Sequence, residues 1–261
     1  MRQTIKKASL STCNAQVPPD HRLAGLVAYW KVVSDGKLPR SNLVFTADEH
    51  VDMMFDFNSA GLKRVPYLSG IHLGPREYMV SGLVEVIGVK FLPGSFYSLF
   101  HVSADSAGGK FLPLKSVIGQ DAECFKDVLA QKSFKTKIRA IDAALLKFVK
   151  GREQVDPRIS RAVGEVYAHN GNISVEALAN TAGLTRCWFF EAFKKWVGVN
   201  PRLFCGHVRF MAAVRALGAG KKMPDVISEL GYADQAHFIR SVKRRTGIPP
   251  QKFLKQYVYM L

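Results

Sequence analysis

An α+β fold is predicted: a β-rich barrel or sandwich over residues 1–150, a short linker at 151–157, and an all-helical part from 158 to 261. Three observations carry this. Short runs of β-branched and aromatic residues fill the first hundred positions, and from about Asp121 the apolar residues fall into three- and four-residue steps. A unit of turn, helix and Gly-x-x-Pro close then occurs twice, with Phe238 answering Phe189 at an offset of 49 (238 − 189).

LVAYWKVV (Leu26–Val33), VDMMFDF (Val51–Phe57) and VEVIGVKFL (Val84–Leu92) read as strands, and DGKLPR, NSAG and LGPRE as turns between them. Strands this short and this closely spaced suit a small barrel or sandwich. Trp30, Tyr29 and Phe55 are expected in its core, with lining of a cavity as the alternative. His72 and Arg76 fall near a turn, where a ligand pocket or plain solvation are both open. Beyond Asp121, Ile138, Ile141, Leu145 and Phe148 form one apolar helical stripe, to pack on the strands or to serve a dimer interface. GREQVDP (Gly151–Pro157) is polar, and its Asp-Pro step resists helix continuation.

Seven helices follow, at 158–169, 175–182, 186–196, 201–218, 224–230, 234–245 and 250–258. Gly183 and Gly231 stand where left-handed residues end a helix. Thr185 is placed to N-cap the next helix, and Pro224 and Asp234 suit first-turn positions. Phe189, Phe193 and Trp196 recur at i, i+4 and i+7 and point inward, as do Phe238 and Val242.

The outer faces differ in chemistry. One carries Cys187, Phe190, Glu191 and Lys194; the other carries Gln235, Ala236, Ile239, Arg240 and Lys243. A polar helix after a tight turn can enter the major groove of B-DNA. There Gln pairs with adenine, Arg with guanine, and small apolar groups meet the thymine methyl. Lys194, Lys195, Lys243, Arg244 and Arg245 suit phosphates, which position without reading sequence.

Charge points the same way. The net charge is +16, from 37 Lys+Arg against 21 Asp+Glu. Up to residue 156 the count is 21 against 15, a net of +6; beyond it 16 against 6, a net of +10. A basic excess concentrated on the repeated units favours a polyanion. Seven scattered His make no HExxH or Cys/His spacing, so no metal, cofactor or enzyme activity is predicted. Cys13, Cys124, Cys187 and Cys205 make no CxxC pair. The amino-terminal stretch has no secretory pattern, and no run is long enough to span a membrane, so a cytoplasmic, membrane-free protein is expected.

These residues resemble the AraC/XylS family of bacterial transcription regulators. The second unit matches through Gly231-Tyr232-Ala233-Asp234-Gln235-Ala236-His237-Phe238, Val242-Lys243-Arg244, Gly247 and Pro250. The first matches through Leu178-Ala179, Gly183-Leu184-Thr185, Phe193-Lys194-Lys195-Trp196, Gly198 and Pro201, and the linker helix through Arg209 and Ala213. The resemblance implies recognition helices in successive major-groove segments of double-stranded DNA, with Arg186, Cys187, Phe190 and Glu191 facing bases in the first unit and Gln235, Ala236, Ile239 and Arg240 in the second. Glu191 stands where the family commonly has a cation and Phe190 where it has a polar residue, which points to weak base reading or thymine-methyl contacts by the first unit. The resemblance further implies RNA polymerase as a partner and an N-terminal half that senses a small-molecule effector or forms a homodimer. A β-barrel enzyme or ligand binder with the helices as an interaction module stays open at this level.

Overall fold

The structure, a computed structural model, describes residues 10–14, 18–45, 49–58, 65–72, 74, 76–108, 110–250 and 252–253. The side chains of Cys13 and Arg76, and positions 251 and 254–258 of the last predicted helix, lie outside this description.

Among the described residues, eight strands lie in the N-terminal part: β1 (Leu10–Asn14), β2 (Val27–Ser34), β3 (Leu38–Phe45), β4 (Val51–Asp56), β5 (Tyr67–Ser69), β6 (Arg76–Gly82), β7 (Glu85–Phe91) and β8 (Phe111–Pro113). Six make an open antiparallel sheet in the order β1-β2-β7-β4-β5-β8, while β3 and β6 pair separately as a ribbon. Of the two architectures expected, the sandwich-like one is present. β3 begins at Leu38 and β6 at Arg76, inside two stretches read as turns.

Period-2 alternation explains the layering. Every residue of β4 is buried, because both faces of the sheet are covered. Met53 and Phe55 join a core with Tyr29, Ile87, Val89 and Phe91, whereas Met54 points the other way into a second core with Val32, Tyr78 and Val80.

Helices α1 (Ser95–Phe100), α2 (Lys115–Ile118) and α3 (Phe134–Val149) complete this part, with 3₁₀ turns at Gly119–Phe125 and Val128–Ala130. The helical period expected from Asp121 is therefore established only at Phe134, where Ser133 caps the helix. Phe125 and Val128 reach the core from the irregular turns instead, so burial rather than periodicity sets their spacing. Ile138, Ile141 and Leu145 face the same core. Two polar contacts seat α3 on the sheet: the Tyr29 hydroxyl donates to Asp142 Oδ1 at 2.5 Å, and Lys137 Nζ lies 2.6 Å from Glu85 Oε2.

The helical part comprises α4 (Pro157–Ala168), α5 (Val175–Thr181), α6 (Arg186–Val197), α7 (Pro201–Gly218), α8 (Met223–Glu229) and α9 (Gln235–Thr246). Their starts follow capping chemistry. Asp156, Ser174, Thr185, Asn200 and Asp234 each accept a backbone N–H with the side chain. Asp234 is the N-cap of α9 rather than a first-turn residue, since its backbone is extended. None of the described helices is long and apolar enough to cross a membrane.

Two glycines provide a test of packing. A Cβ on Gly88 would lie 1.9 Å from the Trp30 indole, whose Nε1 donates to Asp52 Oδ1 at 2.7 Å. Gly164, exposed within α4, faces open space. Gly88→Ala is expected to destabilise by about 1–3 kcal/mol through overpacking. Gly164→Ala is expected to stabilise by about 0.5–1 kcal/mol. Urea unfolding checks both signs.

Candidate nucleic-acid interface

Two units of like construction stand side by side. In the first, α5 ends, Gly183 turns the chain at φ +64°, and α6 begins at Arg186. In the second, α8 ends, Gly231 turns it at φ +66°, and α9 begins at Gln235. Side chains with a Cβ are strained at such angles, which accounts for glycine in both turns. Each unit has its own core. Phe189, Phe193 and Trp196 pack with Phe204 and Val208, while Phe238 and Val242 pack with Phe210 and Val214. The linker helix α7 thus lends its first half to one unit and its second half to the other.

The predicted contact residues divide into three groups. On α9, Gln235, Ala236, Ile239, Arg240, Lys243 and Arg244 are all exposed, Ile239 at 37%. They form one face opposite the buried Phe238 and Val242. On α6, Arg186, Cys187 and Glu191 are exposed, but Phe190 is half-buried. Thr185 is exposed, and its Oγ1 accepts from the Trp188 N–H at 3.4 Å, so it caps the helix that carries the face. The third group, Lys194 and Lys195 at the end of α6, meets the N-terminal part. Lys194 Nζ lies 2.9 Å from Asp105 Oδ2, and Lys195 Nζ sits 5.0 Å from the centroid of the Tyr97 ring. Hydrogen bonding to the Asp105 carboxylate raises the Lys194 ammonium above its ordinary pKa.

Arg245 is a correction. Read as a phosphate contact, it is only 8% exposed, and its Nη1 donates to Ser241 O and Oγ at 3.2 and 2.8 Å. A period of 3.6 turns position 245 inward, beside Val242 and against the Phe210 ring. Burial, and then the neighbouring Arg244 and Arg209, push its guanidinium below the usual arginine value.

Two features escaped sequence reasoning. Trp188 is 71% exposed in the first turn of α6, one step before a buried phenylalanine. Its neighbours' i, i+4, i+7 spacing already implied that it lay off the buried stripe. Arg209 ties the units together. Its Nη2 donates to Gly171 O at 2.9 Å and its Nη1 to Gly231 O at 3.4 Å. Only the tertiary fold brings those two carbonyls within reach of one side chain. Among the described residues, no group of three His, Cys, Asp or Glu is arranged to hold a metal.

The cysteines report on this surface. Burial pushes the Cys205 thiol from an ordinary 9.0 up to about 11, whereas Cys187 is exposed. Between those pH values the unfolded thiol ionises and the folded one does not, so this group's contribution to stability is lost as pH rises. Maleimide at neutral pH is expected to label Cys187 in the native protein and Cys205 only after denaturant is added, as peptide mapping would show.

Comparison with known proteins gives two family matches. Residues 178–256 match the family described as Helix-turn-helix domain, and residues 15–113 a domain of unknown function, DUF6597. The chain is 25% identical over 189 residues to the virulence regulon transcriptional activator VirF of Yersinia enterocolitica, which spans 62% of this chain and 69% of that protein. It is 30% identical over 98 residues to the thermoregulatory protein LcrF of Yersinia pestis, spanning 37% of this chain and 35% of that protein. Among solved structures, ToxT from Vibrio cholerae aligns over 96% of this chain and 98% of its own at a TM-score of 0.44 and 11% identity.

Proposed function

The C-terminal part of this chain is an AraC/XylS-type helix-turn-helix domain, and on that premise we propose that the protein is a sequence-specific transcription regulator of double-stranded DNA, controlled through its N-terminal domain. The observation that carries this is the pairing of α6 and α9. Both follow the same turn, both are anchored by buried aromatics, and both leave a face outward. Two such helices anchored on one linker helix suit two successive major-groove segments.

The roles differ by exposure and chemistry. On α9, Gln235 and Arg240 are the base readers, with Ala236 and Ile239 for thymine methyls. Lys243 and Arg244 hold phosphates from the last turn. On α6, Arg186 and Cys187 face the groove and Glu191 can accept from a cytosine amino group. The DNA-binding half runs from residue 158 to 261 and the controlling half to about 150, with a small-molecule effector acting on the latter. RNA polymerase and a second copy of the chain are the protein partners, and the site of action is the cytoplasm. VirF is named a transcriptional activator, which supports contact with polymerase.

The control runs through the contact between the two halves. Tyr97 packs edge-on against Trp196 at 4.7 Å between centroids, and Asp105 holds Lys194. Glu49 Oε2 lies 2.9 Å from Nε2 of the fully buried His207 on α7. Lys194 and Lys195 of the first unit are therefore engaged by acid and aromatic groups of the N-terminal domain, and an effector that loosens the contact frees them.

Selection of bound duplexes from a random pool is the primary test; recovery of no preferred sequence refutes the reading. Arg240→Ala is expected to relax preference at one base position at a cost of about 1–3 kcal/mol, whereas Lys243→Ala weakens all duplexes alike and lowers the salt slope. Asp105→Asn is expected to tighten binding to any duplex a few-fold by releasing Lys194, measured by anisotropy at low salt; unchanged affinity would remove Lys194 from the interface.

A further inference from the structure

Between the two units lies an open cleft of about 790 Å³. Its floor is α7, one wall is α6 with the start of α5, and the other wall is α9. Six arginines line it: Arg186, Arg202, Arg209, Arg240, Arg244 and Arg245. Glu176 is the one acidic residue among its lining. This concentration exceeds what base reading requires, since of the six only Arg186 and Arg240 are assigned to bases.

Arg245 shows that the cleft is built for an anion. Its guanidinium is more than nine-tenths buried and lines the cleft, yet the groups it bonds are a carbonyl and a hydroxyl, both of Ser241. Its Nε has no hydrogen-bond partner among the described residues, and neither has Nε of Arg209. Arg209 and Arg244 line the same cleft beside it. A buried cation beside like charges and without a carboxylate is costly. An anion entering the cleft would relieve that cost, with charge-assisted bonds from planar guanidinium groups.

We propose that this cleft is a phosphate seat for the stretch of DNA backbone between the two major-groove entries. Arg202 and Arg244, both exposed, donate to its phosphates, and Arg209 from the floor and Arg245 from the α9 wall supply positive potential. The assignment rests on the DNA-binding reading above and follows from position. With α6 and α9 in successive major-groove segments on one duplex face, what lies against α7 is the sugar-phosphate border of the intervening minor groove. Arg202 belongs to neither recognition helix, so sequence reasoning about the two units assigns it no role.

The test uses the full chain and a duplex taken from the random-pool selection. Phosphates across the spacer are replaced one at a time by neutral methylphosphonates, and binding is read by anisotropy for wild type, Arg202→Gln and Arg202→Lys. One or two central replacements are expected to weaken wild type about tenfold, the scale of a bond to a charged group, and to cost Arg202→Gln little. Arg202→Gln is also expected to reduce the salt slope by about 0.9 with base preference unchanged, and Arg202→Lys to retain the slope. Arg202 is exposed, and matching melting curves establish that the variants fold. Selective duplex binding that ignores every central methylphosphonate overturns the seat and leaves the regulator reading intact. Saturable binding of inorganic pyrophosphate with that same indifference would assign the cleft to a small anion instead. Recovery of no preferred duplex overturns both readings.

Discussion

The spacing of the two recognition helices is held by α7 and by one side chain on it, with the close approach around that side chain. Arg209 reaches from α7 to carbonyls on both sides: Gly171, after α4, and Gly231, before α9. Both sites are crowded. A Cβ on Gly171 would lie 2.1 Å from the Cys205 carbonyl, and one on Gly231 would lie 2.5 Å from the Asn172 amide. The loop of the first unit therefore rests on α7, and the turn of the second rests on that loop. The apolar cores of the two units are separate clusters, each anchored on its own half of α7. A planar guanidinium serving two carbonyls adds a rigid, directional tie between them.

The N-terminal domain adds a second frame to the first. It touches α6 through Tyr97 and Asp105, α7 through Glu49, and α9 at Gly74, where an added Cβ would lie 3.2 Å from the Arg244 carbonyl. The contacts thus reach both units and the helix between them. Their character is mixed. The Asp105–Lys194 pair is exposed and weakly held, as surface ion pairs are, whereas His207 is fully buried against Glu49. An interface with a soft edge and a firm centre can change without coming apart. That suits control of binding better than a permanent scaffold would.

Much of this was legible in the residues. Helix starts at Thr185, Asn200 and Asp234 follow from capping chemistry that acts within a few residues. The turns at Gly183 and Gly231 follow from a backbone angle that glycine adopts freely. The inward sets Phe189, Phe193 and Trp196, or Phe238 and Val242, follow from helical period. Legibility faded where distant segments decide. Phe125 and Val128 lie in 3₁₀ turns that no apolar period marks, because the sheet beneath them rewards burial rather than regularity. The strands at Leu38 and Arg76 sit within turn-like residues, because pairing with each other outweighs local preference.

The amino-acid order by itself determined the repeated unit, the helix ends, the buried stripes and the basic excess of the second half, since each depends on neighbours within about two helical turns or on a simple count of charge. Only the tertiary structure decided which cations are free. Lys243 and Arg244 stand in solvent, Lys194 and Lys195 are met by Asp105 and Tyr97 from far along the chain, and Arg245 is turned inward. All five read alike as charges on helix ends. What separates them is the field and solvent access made by segments distant in sequence, and those exist only once the chain has folded.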